Sequence, residues 1–426
     1  MEFDPAHIES MSQPQAHMYS HDEMTSEPMK SVLESNPEIY FVPPKGGSEW
    51  GTWDFKPGSY YDTTTGSKHP YWKNKKLPSP TKDIQQLRSD LLEWGYCIIE
   101  EAIAADQVEL IRTRVLEQAD GERRARIAQK TPSGQNINCC VNKGRCFEGL
   151  IEHDPSIVQG GPLIEQLMTE ALGTGWISTS LIAAISLKGG VPQALHQDQT
   201  DSAESLRPTL VNTLTAIGDI DESNGGTLLI PGSHAELSQA MRERRPVGKL
   251  PPTINLEAPA GSITLTDGRI LHSTGINHTD EPRIVLLSSM QPNWKRQQEN
   301  WMLSVRPEVL ERASPKLLQR MGFQATTGGQ TNEGHGFGAR GLIGEHVGAL
   351  RDFRLAADRG DYVRVGELGP DSSDSELQAP FTLREVVAKA RSGGQSAPVG
   401  IGGNDAIGGC FTASSIAASS HFAEQD

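Results

Sequence analysis

The chain has 426 residues and a formal net charge of −15, with 39 Lys and Arg against 54 Asp and Glu. An acidic chain without a basic face is a poor nucleic-acid binder, and no apolar stretch reaches the ~18 residues that a membrane helix needs. The N-terminus lacks the basic and apolar regions of a secretory signal peptide. We therefore expect a cytoplasmic protein with neither nucleic acid nor a membrane as a partner.

Residues 1–83 are expected to form an N-terminal extension that is partly disordered. They are polar and aperiodic, which is typical of loosely ordered chain. Such chain is usually poor in aromatic residues, so the aromatic segment 50–75 is expected to dock on the folded core. It contains the Trp and Tyr residues Trp50, Trp53, Tyr60, Tyr61, Tyr71 and Trp72.

From residue 84 the pattern becomes regular. Apolar residues recur at helical spacing from Ile84 to Leu92, and Gly95 ends this predicted helix. The run 96–99 predicts a short strand. Two more helices are expected, one around 108–116 and one over about 162–171.

After residue 175, short β-branched and apolar runs alternate with Gly, Pro, Asn and Asp. This spacing predicts an all-β sandwich or barrel. The predicted strands are 176–187, 209–217, 227–230, 262–266 and 283–290. Helical character returns at 307–322. The tail 392–426 is rich in Gly, Ser and Ala, so we expect it to be flexible.

One short motif suggests a metal site. The run LHQDQT places His196 and Asp198 two residues apart, and alternate residues of a strand point to the same face. An imidazole and a carboxylate on one face can bind the same ion. With a second histidine from a distant strand they make the two-histidine, one-carboxylate triad that is associated with Fe(II) oxygenases. His272 is the candidate for this third ligand.

An arginine follows the third candidate ligand. Arg283 comes eleven residues after His272 and opens the apolar run Ile284–Leu287. A guanidinium at the start of a buried strand requires an anionic partner. Its planar fork matches a carboxylate in bidentate fashion. A carboxylate ligand and an ion pair within the core both meet this requirement.

Four segments together resemble a known family. The chain contains LRSDLLEWGYCIIEEAIAADQVELIR, PQALHQD, SNGGTLLIPGSH and GSITLTDGRILHSTGINHTDEPRIVL, in that order. Their content and order resemble the phytanoyl-CoA dioxygenase family over roughly residues 84–292. The resemblance implies a mainly β fold over 84–295, in which a double-stranded β-helix (jelly roll) core is flanked by α-helices. A C-terminal extension of helices and loops would then cover 296–391.

The resemblance also implies roles for single residues. His196, Asp198 and His272 would bind Fe(II), and Arg283 would hold the far carboxylate of the co-substrate 2-oxoglutarate. Gln193 and Thr227 match positions that hydrogen-bond this co-substrate. O₂ is the second co-substrate, and ascorbate is the reductant expected to keep the iron reduced.

The reaction implied is oxidation of an unactivated C–H bond in a small organic substrate, a secondary metabolite, with release of succinate and CO₂. Hydroxylation, desaturation and rearrangement all remain open. Halogenation is disfavoured because related halogenases have a small residue where this chain has Asp198. The alternative is a non-oxidative metal-binding jelly-roll protein, which would not require a buried Arg283. The sequence is compatible with a homodimer.

Overall fold

A computed structural model of the chain describes residues 64–125, 127–131, 133–189, 196–199, 205–244, 250–323 and 367–372. It also describes the backbone of three short N-terminal strands, which pair antiparallel in the order β1-β3-β2. These strands are β1 (Tyr19–Ser20), β2 (Ile39–Val42) and β3 (Trp50–Phe55). Gln193 and the predicted tail 392–426 lie outside the described residues.

A helix, a strand and a second helix open the folded core, as predicted. They are α1 (Ile84–Trp94), β4 (Tyr96–Ile99) and α2 (Ala105–Arg124). The carboxylate of Asp83 caps α1 by accepting a hydrogen bond from the backbone N–H of Gln85 at 2.9 Å. Gly95 ends α1 with φ at +80°, a conformation that glycine adopts without steric strain.

A seven-stranded sheet forms the larger layer. Its strand order is β4-β11-β8-β13-β7-β6-β5, and all neighbouring strands are antiparallel. Besides β4, its strands are β5 (Gln129–Thr131), β6 (Gly134–Ile137), β7 (Ile177–Ser186), β8 (Val211–Ala216), β11 (Ile263–Asp267) and β13 (Arg283–Gln291).

A three-stranded sheet with the order β10-β9-β12 forms the smaller layer. Its strands are β9 (Thr227–Leu229), β10 (Ile254–Asn255) and β12 (His272–Thr274). His196 pairs antiparallel with His272 and extends this sheet beyond β12. From β7 onward the chain therefore crosses repeatedly between the two layers, which confirms the predicted double-stranded β-helix.

Helices cover the outer face of the larger sheet. They are α3 (Arg145–Glu152) and α4 (Gly161–Leu172), together with α2. Successive side chains of each strand point to opposite faces of the sheet. Leu181, Ala183 and Ile185 of β7 share one buried cluster with the helices, whereas Leu214 and Val285 belong to a second cluster between the sheets.

The described part of the C-terminal extension packs into the helix-side core. Three short helices lie there, and Trp301 and Phe323 are fully buried in the same cluster as α3 and α4. Residues 296–323 therefore complete the core of the jelly roll. The helices are α6 (Trp301–Ser304), α7 (Pro307–Arg312) and α8 (Pro315–Arg320), and α5 (Ser233–Glu243) precedes them in the chain.

Within the aromatic segment, residues 64–75 contact the core. Trp72 is buried against Trp94, with ring centroids 6.3 Å apart, and its indole N–H donates to the carbonyl of Pro252 at 2.9 Å. Thr65 pairs with Asn255 and continues the small sheet beyond β10. Among the helices that the structure describes, none is both long and apolar enough to cross a membrane.

Candidate metal and co-substrate site

Two histidines meet at the edge of the small sheet. The backbone N–H of His196 donates to the carbonyl of His272 at 2.9 Å, and the N–H of His272 donates back at 3.0 Å. Directly opposed residues of an antiparallel pair point to the same face. The two imidazole rings accordingly lie with their centroids 4.4 Å apart.

Asp198, two residues after His196, lies beside both histidines. Its Oδ1 lies 3.6 Å from Nε2 of His196, and its Oδ2 lies 3.4 Å from Nε2 of His272. One ligand atom from each of the three side chains lies within 4.8 Å of the others. The predicted triad thus converges on one point, and its two nitrogens and one oxygen suit Fe(II).

The backbone around Asp198 is fixed on its C-terminal side. The N–H of Gln199 donates to the carbonyl of Gly268 at 2.7 Å, and the Gln199 side-chain oxygen accepts from the N–H of Thr209 at 2.8 Å. These bonds tie the His196–Gln199 segment to the loop that precedes His272. The separation of the ligands is therefore set by backbone hydrogen bonds.

His272 presents a defined ring nitrogen to the ion position. Its Nδ1 lies 3.2 Å from the carbonyl of Ile270, which can only accept, so Nδ1 carries the proton and Nε2 is the ligand atom. Burial lowers the pKa of His272, but the charge and hydrogen bond of Asp198 and the Ile270 carbonyl raise it more. The net shift is upward.

A buried ion pair supports the same loop. The guanidinium of Arg269 binds the carboxylate of Asp267 through two hydrogen bonds, at 2.8 and 2.6 Å. The Arg269 carbonyl accepts from the side chain of Gln197, so the pair joins both ligand segments. The sequence analysis missed this pair, although TDGR places an acid and an arginine two residues apart directly before the ligand strand.

The sequence analysis also missed a contact to the ligand carboxylate. The side-chain amide of Asn212 donates to Oδ2 of Asp198 at 2.7 Å. The hydroxyl of Ser289 donates to Oδ1 of Asn212 at 2.7 Å. An asparagine within an otherwise apolar predicted strand was the available signal.

Arg283 lies on the inner face of the large sheet. Ser289, which contacts Asn212, stands six residues further along the same strand, and residues at even spacing share a face. Arg283 is 8% exposed, its Nη2 donates to the hydroxyl of Ser186 at 2.7 Å, and its buried Nε has no hydrogen-bond partner. Burial lowers the pKa of its guanidinium to about 10.

No carboxylate of the described residues pairs with Arg283. The nearest acids in sequence, Asp280 and Glu281, have side chains that are 88% and 83% exposed, and they pair with Lys188 and Arg112. An ion pair within the core, the alternative reading of Arg283, is therefore not found in the part of the chain that the structure describes. A buried cation of this kind suits an anionic ligand.

Thr227 shares the face of the triad. It lies opposite Thr274 in the small sheet, and Leu229 lies opposite His272. Alternation then puts Thr227 and His272 on the same face. Two other histidines near the motifs stay outside the site, because His234 is buried against the Leu92 carbonyl and His278 is exposed on a turn.

The inner face beside Arg283 is partly accessible. Ile182 and Ala184 of β7 and Leu287 of β13 are half-buried although their neighbours in each strand are fully buried. Asn136 of β6 stands opposite Ala184 and is also half-buried. The accessible part of this face therefore combines three apolar side chains with the carboxamide of Asn136.

Comparison with known proteins agrees with this geometry. Residues 91–285 match the family model of phytanoyl-CoA dioxygenase (PhyH). The dioxygenase af480 of Aspergillus fumigatus is 31% identical over 161 residues, which are 37% of this chain and 51% of the relative. The dioxygenase FUM3 of Gibberella moniliformis is 31% identical over 144 residues, which are 32% of this chain and 46% of the relative. The chain spans about half the length of these curated relatives.

Solved structures of similar arrangement include two proteins from nogalamycin biosynthesis. The non-haem alpha-ketoglutarate-dependent epimerase SnoN aligns with a TM-score of 0.37 and 20% identity, over 49% of this chain and 83% of SnoN. The carbocyclase SnoK aligns with a TM-score of 0.39 and 14% identity, over 51% of this chain and 87% of SnoK. Residues 91–285 of this chain are thus similar to the phytanoyl-CoA dioxygenase family.

Proposed function

We propose that the chain is an Fe(II)- and 2-oxoglutarate-dependent dioxygenase that oxidises an unactivated C–H bond of a small organic molecule and releases succinate and CO₂. The observation that carries this proposal is the combination of the triad with the buried guanidinium of Arg283 on the inner face of the sheets, which pairs with no carboxylate of the described residues. A metal site alone would not require that guanidinium.

His196, Asp198 and His272 would hold the iron, which when bound supplies the activation of O₂. The Ile270 carbonyl keeps the Nδ1 proton of His272 away from the ion. The chain's own task at this centre is to fix the ligand atoms and to exclude bulk water.

Arg283 would bind the far carboxylate of 2-oxoglutarate, because the guanidinium fork matches a carboxylate and is already desolvated. The Ser186 hydroxyl orients its Nη2. Thr227, on the face of the triad, would donate a hydrogen bond from its hydroxyl group to the co-substrate. Gln193 is proposed for the same role on the family resemblance alone.

The accessible inner face suggests the class of the prime substrate. Ile182, Ala184 and Leu287 offer an apolar surface, and Asn136 offers a neutral hydrogen-bonding group. This surface suits a neutral, mostly apolar molecule such as a secondary metabolite. The carboxylate of Asp198 occupies the place that a halide ligand would need, so oxidation without halogenation is the expected outcome.

Succinate formation tests the proposal. The purified protein should convert 2-oxoglutarate to succinate slowly in the presence of Fe(II), ascorbate and O₂ even without prime substrate. His272→Ala should abolish this turnover, whereas the surface variant His278→Ala should retain it. A parent protein that binds the metal but neither binds nor consumes 2-oxoglutarate would favour a non-oxidative metal-binding protein instead.

A further inference from the structure

A chain of two hydrogen bonds connects the large sheet with the ligand carboxylate. Asn212 and Ser289 are directly opposed in the register of β8 and β13. The Ser289 hydroxyl donates to Asn212, and the Asn212 amide donates to Asp198 Oδ2, each at 2.7 Å. Two in-register strand residues thus reach the metal site from the opposite layer.

The direction of these two hydrogen bonds is fixed by the chemistry of their donors and acceptors. A carboxylate can only accept hydrogen bonds, so Asn212 must turn its NH₂ group toward Asp198. Its oxygen then faces Ser289, whose hydroxyl supplies the matching proton. If the amide were reversed, its oxygen would face the carboxylate and repel it.

The support is more rigid than the residue that it holds. Asn212 is 6% exposed and lies within a strand that is paired on both sides. The Asp198 side chain is 24% exposed and lies outside the strands, in the described segment 196–199. Because Oδ2 is bound by Asn212, rotation of the carboxylate is restricted.

We propose that Asn212, itself oriented by Ser289, is a positioning residue that fixes the Asp198 carboxylate for metal binding. This inference rests on the proposed function, since it assumes that the triad binds a divalent metal. The metal affinity of the site would then depend in part on Asn212 and Ser289, although neither residue contacts the metal. Partners of this kind typically change metal affinity by about 10- to 100-fold.

Titration of the metal-free protein with Co(II), without co-substrate or substrate, tests the inference. Asn212→Ala should weaken Co(II) binding by about 10- to 100-fold and change the visible Co(II) absorption, because the carboxylate loses its fixed orientation. Ser289→Ala should weaken binding less, and Ser289→Thr should restore it because threonine keeps the hydroxyl.

Asn136→Ala is the matched control, since it removes a carboxamide from the same sheet face without a contact to the triad. Its Co(II) affinity should equal that of the parent. Melting temperatures of the metal-free variants separate loss of positioning from loss of folding. If Asn212→Ala and Ser289→Ala both bind Co(II) like the parent, or if Asn136→Ala loses as much affinity, the inference is wrong. A parent that binds no Co(II) refutes the proposed function itself.

Discussion

Replacing Arg283 by glutamine removes the buried charge but keeps a neutral hydrogen-bond donor on a shorter side chain. Arg283 is 8% exposed, and no carboxylate of the described residues pairs with it. In the absence of a ligand its charge is therefore a destabilising feature. With 2-oxoglutarate bound, the same charge becomes half of a buried ion pair.

Both effects have a magnitude. Burial lowers the pKa of Arg283 to about 10, and since one pKa unit corresponds to about 1.4 kcal/mol, the charged form is disfavoured by about 3 kcal/mol. Loss of one partner of a buried charge pair typically costs about 2–5 kcal/mol. Because glutamine retains a donor, we expect a loss near the lower part of this range, about 2–3 kcal/mol, or roughly 30- to 150-fold in the Kd for 2-oxoglutarate.

Two assays measure these effects. Anaerobic titration of the metal-loaded protein with 2-oxoglutarate gives the Kd, and thermal unfolding without ligand gives the stability. Arg283→Gln should bind 2-oxoglutarate more weakly and yet melt higher than the parent, with unchanged metal affinity. Arg283→Lys should recover only part of the affinity, because an ammonium group cannot form the bidentate fork.

The surface variant Arg112→Gln is the control, since it also removes one positive charge but only a long contact of 3.6 Å to the exposed Glu281. It should leave both Kd and melting temperature near the parent values. If Arg283→Gln binds 2-oxoglutarate as tightly as the parent, Arg283 does not hold the co-substrate and the proposed site is wrong.

Three further variants test other parts of the structure. His272→Ala should abolish metal binding in a Co(II) titration while the protein still folds; a retained affinity would remove His272 from the site. Trp72→Ala should lower the free energy of unfolding in urea by about 3–5 kcal/mol, because a buried indole and its hydrogen bond are lost. Burial raises the pKa of Glu299 to about 7 in spite of three hydrogen bonds to the carboxylate. A pKa that is raised in the folded state stabilises the protein at low pH, and this contribution is lost as the pH rises toward 7. Glu299→Gln should therefore flatten the fall in unfolding free energy between about pH 5 and 7, and an unchanged pH profile would show that the buried carboxyl does not titrate there.

Much of the fold was predictable because its elements have strong periodicity. The strands predicted at 176–187 and 283–290 are observed as Ile177–Ser186 and Arg283–Gln291. The convergence of His196, Asp198 and His272 was predictable from the His-x-Asp spacing and the later histidine, although within that motif only His196 pairs with the small sheet and Asp198 lies in a bend beside it. The hairpin of β5 and β6 was missed because its residues are mostly polar, and α5 was missed because its start, PGSH, resembles a turn.

The supporting contacts could not be derived from the sequence. The contact of Asn212 with Asp198 depends on the register of β8 and on the distance between the two layers, and local patterns specify neither. The Arg269–Asp267 pair depends on a loop conformation that brings both groups inside. The candidate metal ligands can therefore be recognised from short sequence motifs, whereas the residues that orient them can be identified only from the tertiary structure.

The mutual backbone bonds of His196 and His272 join positions that are far apart in the chain. Within the described segment 196–199, this bridge and the contacts of Gln197 and Gln199 to Arg269 and Gly268 hold the chain beside β12. An ion held by His196, Asp198 and His272 would act as a crosslink that closes the edge of the barrel, much as a disulfide does. Removing the metal would then release this edge through local unfolding, and the amide protons of His196 and His272 would exchange with solvent faster than those of the adjoining β8.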